Sequence, residues 1–87
     1  MNIIREFKAK IVDDFKEAWV SAMAEDERRP EAEIIADYGG HDLDAFHQRI
    51  AGREVIILEY SYWYGENAFF EKEDDNFVMP SSVWEEI

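Results

Sequence analysis

The chain has 87 residues and a mass of 10.3 kDa, and its 21 acidic side chains outnumber the 9 basic ones for a net charge of −12. No apolar run approaches the ~20 residues of a membrane span, and the lack of cysteine excludes disulfides and thiolate chemistry. The charge also argues against a protein that grips phosphate backbones. Because 47% of the residues are hydrophobic and 15% aromatic, we expect one small folded domain over 1–87 rather than a disordered acidic chain.

The first 29 residues predict a long amphipathic helix that serves as a scaffold. Asn2 is a suitable N-cap, and the helix should end in the charged run 25–29, just before Pro30. Apolar residues recur at steps of three and four, with charged residues around the rest of the circumference. The positions that carry this pattern are Ile4, Phe7, Ile11, Phe15, Ala18 and Ala22, flanked by Ile3, Val12, Trp19 and Met23.

Two short helices are expected next. Pro30 suits the first position of a helix over about 30–38 that ends at Gly39-Gly40, although Ile34-Ile35 would fit a strand equally well. Asp42 as N-cap, followed by apolar residues at helical spacing up to Ile50, predicts a further helix that ends at Gly52.

From Arg53 onward the pattern is typical of strands. The segments 55–64, 68–72 and 77–79 are rich in β-branched and aromatic residues and are separated by turns at 65–67 and 74–76. Ser82 and Glu85 form a capping-box pattern that predicts a final helical turn. The sequence therefore predicts an α+β fold, with a long N-terminal helix, one or two short helices, a three-stranded antiparallel meander and a C-terminal helical turn.

The negative charge is concentrated in the second part of the chain. Residues 1–29 carry six basic and seven acidic side chains, whereas residues 30–87 carry three basic and fourteen acidic ones. A shaped negative surface steers a protein onto a basic one. We therefore interpret 30–87 as the acidic α+β portion of a non-catalytic binding protein or inhibitor. Its expected partner is a protein with a basic surface, such as a nucleic-acid-processing enzyme, without direct binding of nucleic acid or membrane.

The residues expected to contact this partner are acids and aromatics of the strand region. Tyr and Trp supply contact area at low entropic cost, but the alternation of Tyr60, Tyr62 and Tyr64 leaves open whether that stripe is core or interface. The predicted partner-binding residues are Glu59, Tyr62, Trp63, Tyr64, Glu66, Glu71, Glu73, Asp74 and Asp75.

In size and charge alone, the chain is similar to the small acidic inhibitors that phages and mobile elements encode, which include anti-CRISPR and anti-restriction proteins. This likeness implies an inhibitor that occupies the nucleic-acid site of its target. It involves no alignable residues, so it assigns no site residue.

Two other kinds of interaction remain open on the sequence. Tyr60, Tyr62, Trp63 and Phe69, with Glu59 or Glu66, are suited to an aromatic cage for a methylated cation. The apolar stripe of the first helix, which includes Phe7, Phe15 and Trp19, is suited to a homodimer seam or a structural module.

Catalytic and metal chemistry find little support. His41, Asp44 and His47 match no zinc spacing, and the acidic run 71–76 lacks the ligand order of a calcium loop. No serine lies in a nucleophile elbow, and Gly39-Gly40 is no phosphate-binding motif. We expect no catalytic residues, no metal and no cofactor. Charges interrupt the first residues, which therefore lack the apolar stretch of a signal peptide, so the expected location is cytoplasmic.

Overall fold

The computed structural model describes residues 2–61 and 66–87. Its four antiparallel strands form one half-barrel sheet in the order β3-β2-β1-β4, and three helices lie between β1 and β2 in the chain. The elements are β1 Ile3–Ile11, α1 Phe15–Glu27, α2 Glu31–Asp37, α3 Gly40–Ile50, β2 Glu54–Ser61, β3 Asn67–Glu71, a 3₁₀ turn Ser81–Val83 and β4 Trp84–Glu86.

The predicted long N-terminal helix is wrong. Residues 3–11 form a strand, and the first helix starts at Phe15 after a turn at 12–14. The correct signal is the strict alternation from Glu6 to Ile11, in which charged residues at 6, 8 and 10 separate apolar residues at 7, 9 and 11. Ala9 is fully buried, but its side chain is too small to stand out as an apolar position in the sequence. The alternation was therefore less visible than the helical spacing of the larger apolar residues.

β1 is a central strand and is paired on both sides. It pairs with β2 along almost its whole length, from Ile3 opposite Tyr60 to Lys10 opposite Glu54, with a bulge between Ile3 and Arg5. At its other end it pairs with β4, where Ile11 lies opposite Trp84. The first and last strands of the chain are thus neighbours in the sheet.

The helices begin and end at residues with clear backbone reasons. Arg28 adopts the left-handed conformation, φ 56°, and its N–H closes α1 on the carbonyl of Ala24. Pro30 precedes α2, so residues 31–37 are helical and the alternative of a strand at Ile34-Ile35 does not occur. α3 extends from Gly40 to Ile50 and is followed by Gly52 at φ 71°.

The C-terminal part of the predicted meander also needs correction. Residues 77–79 form no third strand of a meander, because only Val78 makes an isolated bridge, to Phe70. In place of a closing helical turn, a short 3₁₀ turn leads into strand β4. Two indole N–H groups hold the 77–80 segment, since Trp19 donates to the carbonyl of Val78 at 2.7 Å and Trp84 to that of Met79 at 3.1 Å.

The two faces of the sheet differ in what covers them. The inner face packs under the helices, and its side chains are Phe7, Ala9, Ile11, Val55, Ile57, Phe69 and Trp84. The outer face, set by the same register, consists of Glu6, Lys8, Lys10, Glu54, Ile56, Leu58, Tyr60, Ala68, Phe70, Lys72 and Glu85. The main hydrophobic cluster lies between the inner face and the helices, and Ala68 is buried on the outer face apart from it.

Residues from every helix complete that core. α1 supplies Phe15, Trp19, Val20 and Met23, α2 supplies Ile34, and α3 supplies Leu43, Phe46 and Ile50. None of these helices, within the described part of the chain, combines the length and the hydrophobicity needed to cross a lipid bilayer.

Gly52 lies where the helical layer joins β2, and a substitution at this position tests how closely the two are packed. A Cβ at this position would lie 2.4 Å from Oδ1 of Asp13, and the backbone is in the left-handed region that penalises other residues by about 1–2 kcal/mol. We expect Gly52→Ala to lower the free energy of unfolding by about 1–2 kcal/mol in urea denaturation. Adding Asp13→Ala removes the close approach but leaves the backbone strain, so it should restore only part of the loss. Unchanged stability in Gly52→Ala would contradict this account.

Candidate functional site

Negative charge is concentrated on the helical side of the molecule. Residues 13–49, which contain all three helices, carry eleven acidic and four basic side chains. The outer face of the sheet carries three acids and three lysines. The molecule therefore has an acidic side and a charge-balanced side, and they lie on opposite faces of the sheet.

The few cations on the helical side are largely occupied. Arg29 pairs with Glu27 at 3.0 Å, with Glu33 at 3.3 Å and with Asp37. Lys16 pairs with Asp44 at 2.5 Å. Several acids of the same side have no described cation within 4 Å, and these are Asp13, Asp14, Glu17, Glu25, Asp26, Glu31 and Asp42.

An open cleft of about 590 Å³ lies where α2, α3 and the 74–77 segment meet. Its acidic members are Asp37, Asp42 and Asp74, and Arg49 is the single cation among its lining residues. Three aromatic residues also line it, namely Tyr38, Phe46 and Phe77.

The core holds the aromatic residues of the cleft in place. Phe46 stacks on Phe77 with ring centroids 5.1 Å apart, and Tyr38 packs edge-on against the buried Trp19 at 5.2 Å. Of the three rings Tyr38 is exposed, whereas Phe46 and Phe77 are buried. Carboxylates beside an exposed ring suit a guanidinium or ammonium group, which pairs with the acids and lies over that ring. The cleft therefore has the chemistry to receive a cationic side chain of another protein.

Hydrogen bonds at the cleft change the acidity of two residues. The Tyr38 hydroxyl donates to Glu27 at 2.6 Å. This bond, together with the one from Arg29, lowers the pKa of Glu27 below its usual value. The same bond raises the pKa of Tyr38, because its proton is held by the carboxylate.

Glu71 positions the wall of the cleft from inside the protein. Its carboxylate is 3% exposed and accepts a hydrogen bond from Arg49 at 2.9 Å. It also accepts the backbone N–H groups of Glu73 and Asp74, at 2.5 and 2.8 Å. The hydrogen bond to Glu71 raises the pKa of Arg49. Glu71 thus fixes both the only cation of the cleft and the loop that carries Asp74.

The structure separates the predicted partner-binding residues into three groups. Glu59 and Glu71 have their carboxylates engaged within the chain, Glu59 by Arg5 at 3.0 Å and Asn67 at 2.7 Å. Glu66, Glu73 and Asp75 are exposed, and Asp74 lines the cleft. Tyr62, Trp63 and Tyr64 lie outside the described residues.

The structure separates two aromatic members of the alternative, the aromatic cage. Tyr60 pairs with Ala68 and Glu59 pairs with Phe69, so Tyr60 and Phe69 lie on opposite faces of the sheet. Tyr60 is half-buried on the outer face. The other proposed cage aromatics, Tyr62 and Trp63, lie outside the described residues.

The histidine cluster is engaged in local structure. The backbone N–H of Lys16 donates to Nδ1 of His47 at 3.0 Å, and the Lys16 side chain pairs with Asp44. Among residues 2–61 and 66–87 no group of three or more His, Cys, Asp or Glu side chains is placed to hold a metal ion.

Sequence reasoning missed Asp37, Tyr38 and Asp42 as members of a site. The sequence indicates Asp42 as a helix N-cap and assigns no site role to Asp37 or Tyr38. In the structure Gly39 precedes α3 and Tyr38 is 36% exposed. The available signal was the density of acids around one aromatic residue between 37 and 44.

No protein-family model matches this chain, and neither a curated protein nor a solved structure matches it.

The role of Glu71 predicts a specific loss of stability. Glu71→Gln removes the charge that Arg49 and two backbone N–H groups share, so we expect the free energy of unfolding to fall by about 1.5–3 kcal/mol. Chemical denaturation measures this change. Glu73→Gln is the matched control, because Glu73 is 81% exposed and lies 3.6 Å from Arg49, and it should cost less than about 1 kcal/mol. Equal effects of the two variants would contradict the assigned role.

The Tyr38–Glu27 bond predicts a change in acid response. Folding lowers the pKa of Glu27, so its contribution to stability is present above the unfolded pKa and is lost as the pH falls through the folded pKa. Tyr38→Phe removes the largest cause of the shift and should raise the pKa of Glu27 toward its ordinary value, as followed by NMR titration.

The Tyr38→Phe variant should also lose less stability than the wild type on acidification. Tyr60→Phe, whose ring lies on the outer face of the sheet, is the control and should leave the titration of Glu27 unchanged. An unshifted Glu27 in Tyr38→Phe would show that the hydroxyl does not hold the carboxylate.

Proposed function

We propose that this chain is a small acidic, non-catalytic binding protein that engages a basic surface of a larger protein. The observation that carries the proposal is the one-sided charge, since the helical side bears eleven acids against four bases. A negative side of this kind accelerates encounter with a positive surface and orients the two molecules before contact.

The cleft gives this encounter a point of contact. A basic side chain of the partner would enter between Asp42 and Asp74 and lie over Tyr38, the exposed ring of the cleft. The acids without a described cation would then face the surrounding basic residues. Asp42 is one of these acids and lines the cleft itself, and Glu31 at the start of α2 is the next in sequence.

A nucleic-acid-binding site is the partner surface that suits this charge best. Such sites hold rows of Lys and Arg that neutralise phosphates, and a protein with exposed carboxylates competes for the same groups. We propose that this protein inhibits such an enzyme in the cytoplasm by occupying its nucleic-acid site, without binding nucleic acid itself.

The location of binding can be tested with variants of equal net charge. The probe is an arginine nonamer peptide, titrated calorimetrically at about 50 mM and about 300 mM NaCl. The wild-type protein should bind it more weakly at the higher salt. Asp42→Lys with Asp74→Lys should weaken binding by at least about tenfold, because it reverses charge inside the cleft.

The matched control changes the same charge on the outer face. Glu54→Lys with Glu85→Lys alters the net charge equally but leaves the helical side intact, so it should bind the peptide within about threefold of the wild type. If both double variants lost the same affinity for the peptide, the binding would depend only on net charge, and the proposed site would be wrong. A pulldown with the wild-type protein and the cleft variant then identifies the natural partner.

A further inference from the structure

The outer face of the sheet holds an apolar patch that belongs to no core. Leu58, Tyr60 and Phe70 are half-buried there, and Tyr60 packs edge-on against Phe70 at 5.7 Å. Beside them at the bulge of β1, Ile3 is 57% exposed and Ile4 is 53% exposed.

Nothing in residues 2–61 and 66–87 packs over this patch as the helices pack over the inner face. The buried core and the partly buried side chains that contact it include none of Leu58, Tyr60 and Phe70. The contact that spans the patch is an ion pair between Lys72 and Glu6 at 3.0 Å, with both side chains about half exposed. This sheet face is therefore apolar at one end, and no described helix covers it.

The charges of the outer face are balanced, unlike those of the rest of the molecule. Lys8, Lys10 and Lys72 offset Glu6, Glu54 and Glu85, which leaves no net charge on the face of a chain whose total is −12. Two copies of such a chain repel each other wherever their acidic sides approach. The outer face is the surface on which a second copy meets no excess of like charge.

We propose that the outer face is a homodimer interface, in which two copies pack sheet against sheet. The apolar residues around Leu58 and Phe70 form the centre, and the lysines and glutamates surround it and pair between copies. Such an interface is isologous, because the same patch serves both chains. The helical sides, with the acidic cleft, remain exposed.

The size of the face is consistent with a weak, reversible dimer. Three strands spaced about 4.8 Å apart, each with about six residues at 3.3 Å, present on the order of 300 Å² in projection and more along the side chains. Two copies would bury about 1,000 Å², which is at the lower limit for a specific interface. We expect dissociation in the micromolar range.

The experiment is sedimentation equilibrium of the full chain from about 5 to about 200 µM, at about 50 mM and about 500 mM NaCl. The wild type should form dimers that strengthen with salt, because salt screens the repulsion between two chains of −12. Leu58→Glu should weaken dimerisation by at least about tenfold. Circular dichroism reports whether each variant is folded.

Lys8→Glu is the second variant and needs no change in the apolar patch. It places excess negative charge among the lysines and glutamates that surround the apolar patch. Because Lys8 is exposed, the variant should fold, and its dimer should dissociate at least about tenfold more readily. Its matched control is Arg28→Glu, an equal change of charge at the end of α1, which should stay within about threefold of the wild type.

The outcomes decide the proposal in either direction. A wild type that stays monomeric at about 200 µM in high salt overturns it. A dimer that tolerates both Leu58→Glu and Lys8→Glu also overturns it, since that dimer uses another surface. Neither result affects binding of the arginine peptide, so the two proposals fail separately.

Discussion

The position of β1 between β2 and β4 is the constraint on which the rest of the fold depends. A strand that pairs on both sides fixes the register of its neighbours and brings the two ends of the chain together. The three helices all lie between β1 and β2 in the chain, and their buried side chains belong to the same core cluster as the inner face. The outer face is therefore left without a cover of helices.

This one-sided packing also determines where charge accumulates. A strand in a two-layer fold has one face in the core, so only alternate residues can be charged. A helix on the surface exposes most of its circumference. The helical side thus has room for eleven acids, whereas in β1 the charged residues of the outer face alternate with apolar residues of the inner face. The asymmetry of charge follows from the layer structure rather than from a division of the chain at Pro30.

The sequence predicted elements correctly where the turn-forming residues and the spacing of apolar residues indicated the same boundaries. Pro30, the Gly39-Gly40 pair and Gly52 separate the two short helices found in the structure, and the β-branched run after Arg53 lies in β2. The failure at residues 3–11 has a physical cause. Ile4, Phe7 and Ile11 fit a helical period by coincidence, and only the pairing of β1 with distant strands favours the alternation from Glu6 to Ile11.

The candidate site was harder to predict for the same reason. The cleft is formed by residues 37–49 together with 74–77, which the sequence separates by more than twenty positions. In the sequence, Glu71 is one of several similar acids between 71 and 75. In the structure its side chain is buried and pairs with Arg49, whereas that of Glu73 is exposed. The difference in burial between these two acids depends on tertiary contacts and cannot be inferred from the local sequence.

The two surfaces are related in a way that affects how a partner would be bound. Because the helices cover the inner face, a dimer joined at its outer faces would direct both acidic clefts away from the interface. The two clefts would then point in opposite directions, so that a single compact basic partner could reach only one of them. Two partners, or one partner with basic surfaces far apart, would be needed to occupy both, and only the second arrangement would gain affinity from bivalence.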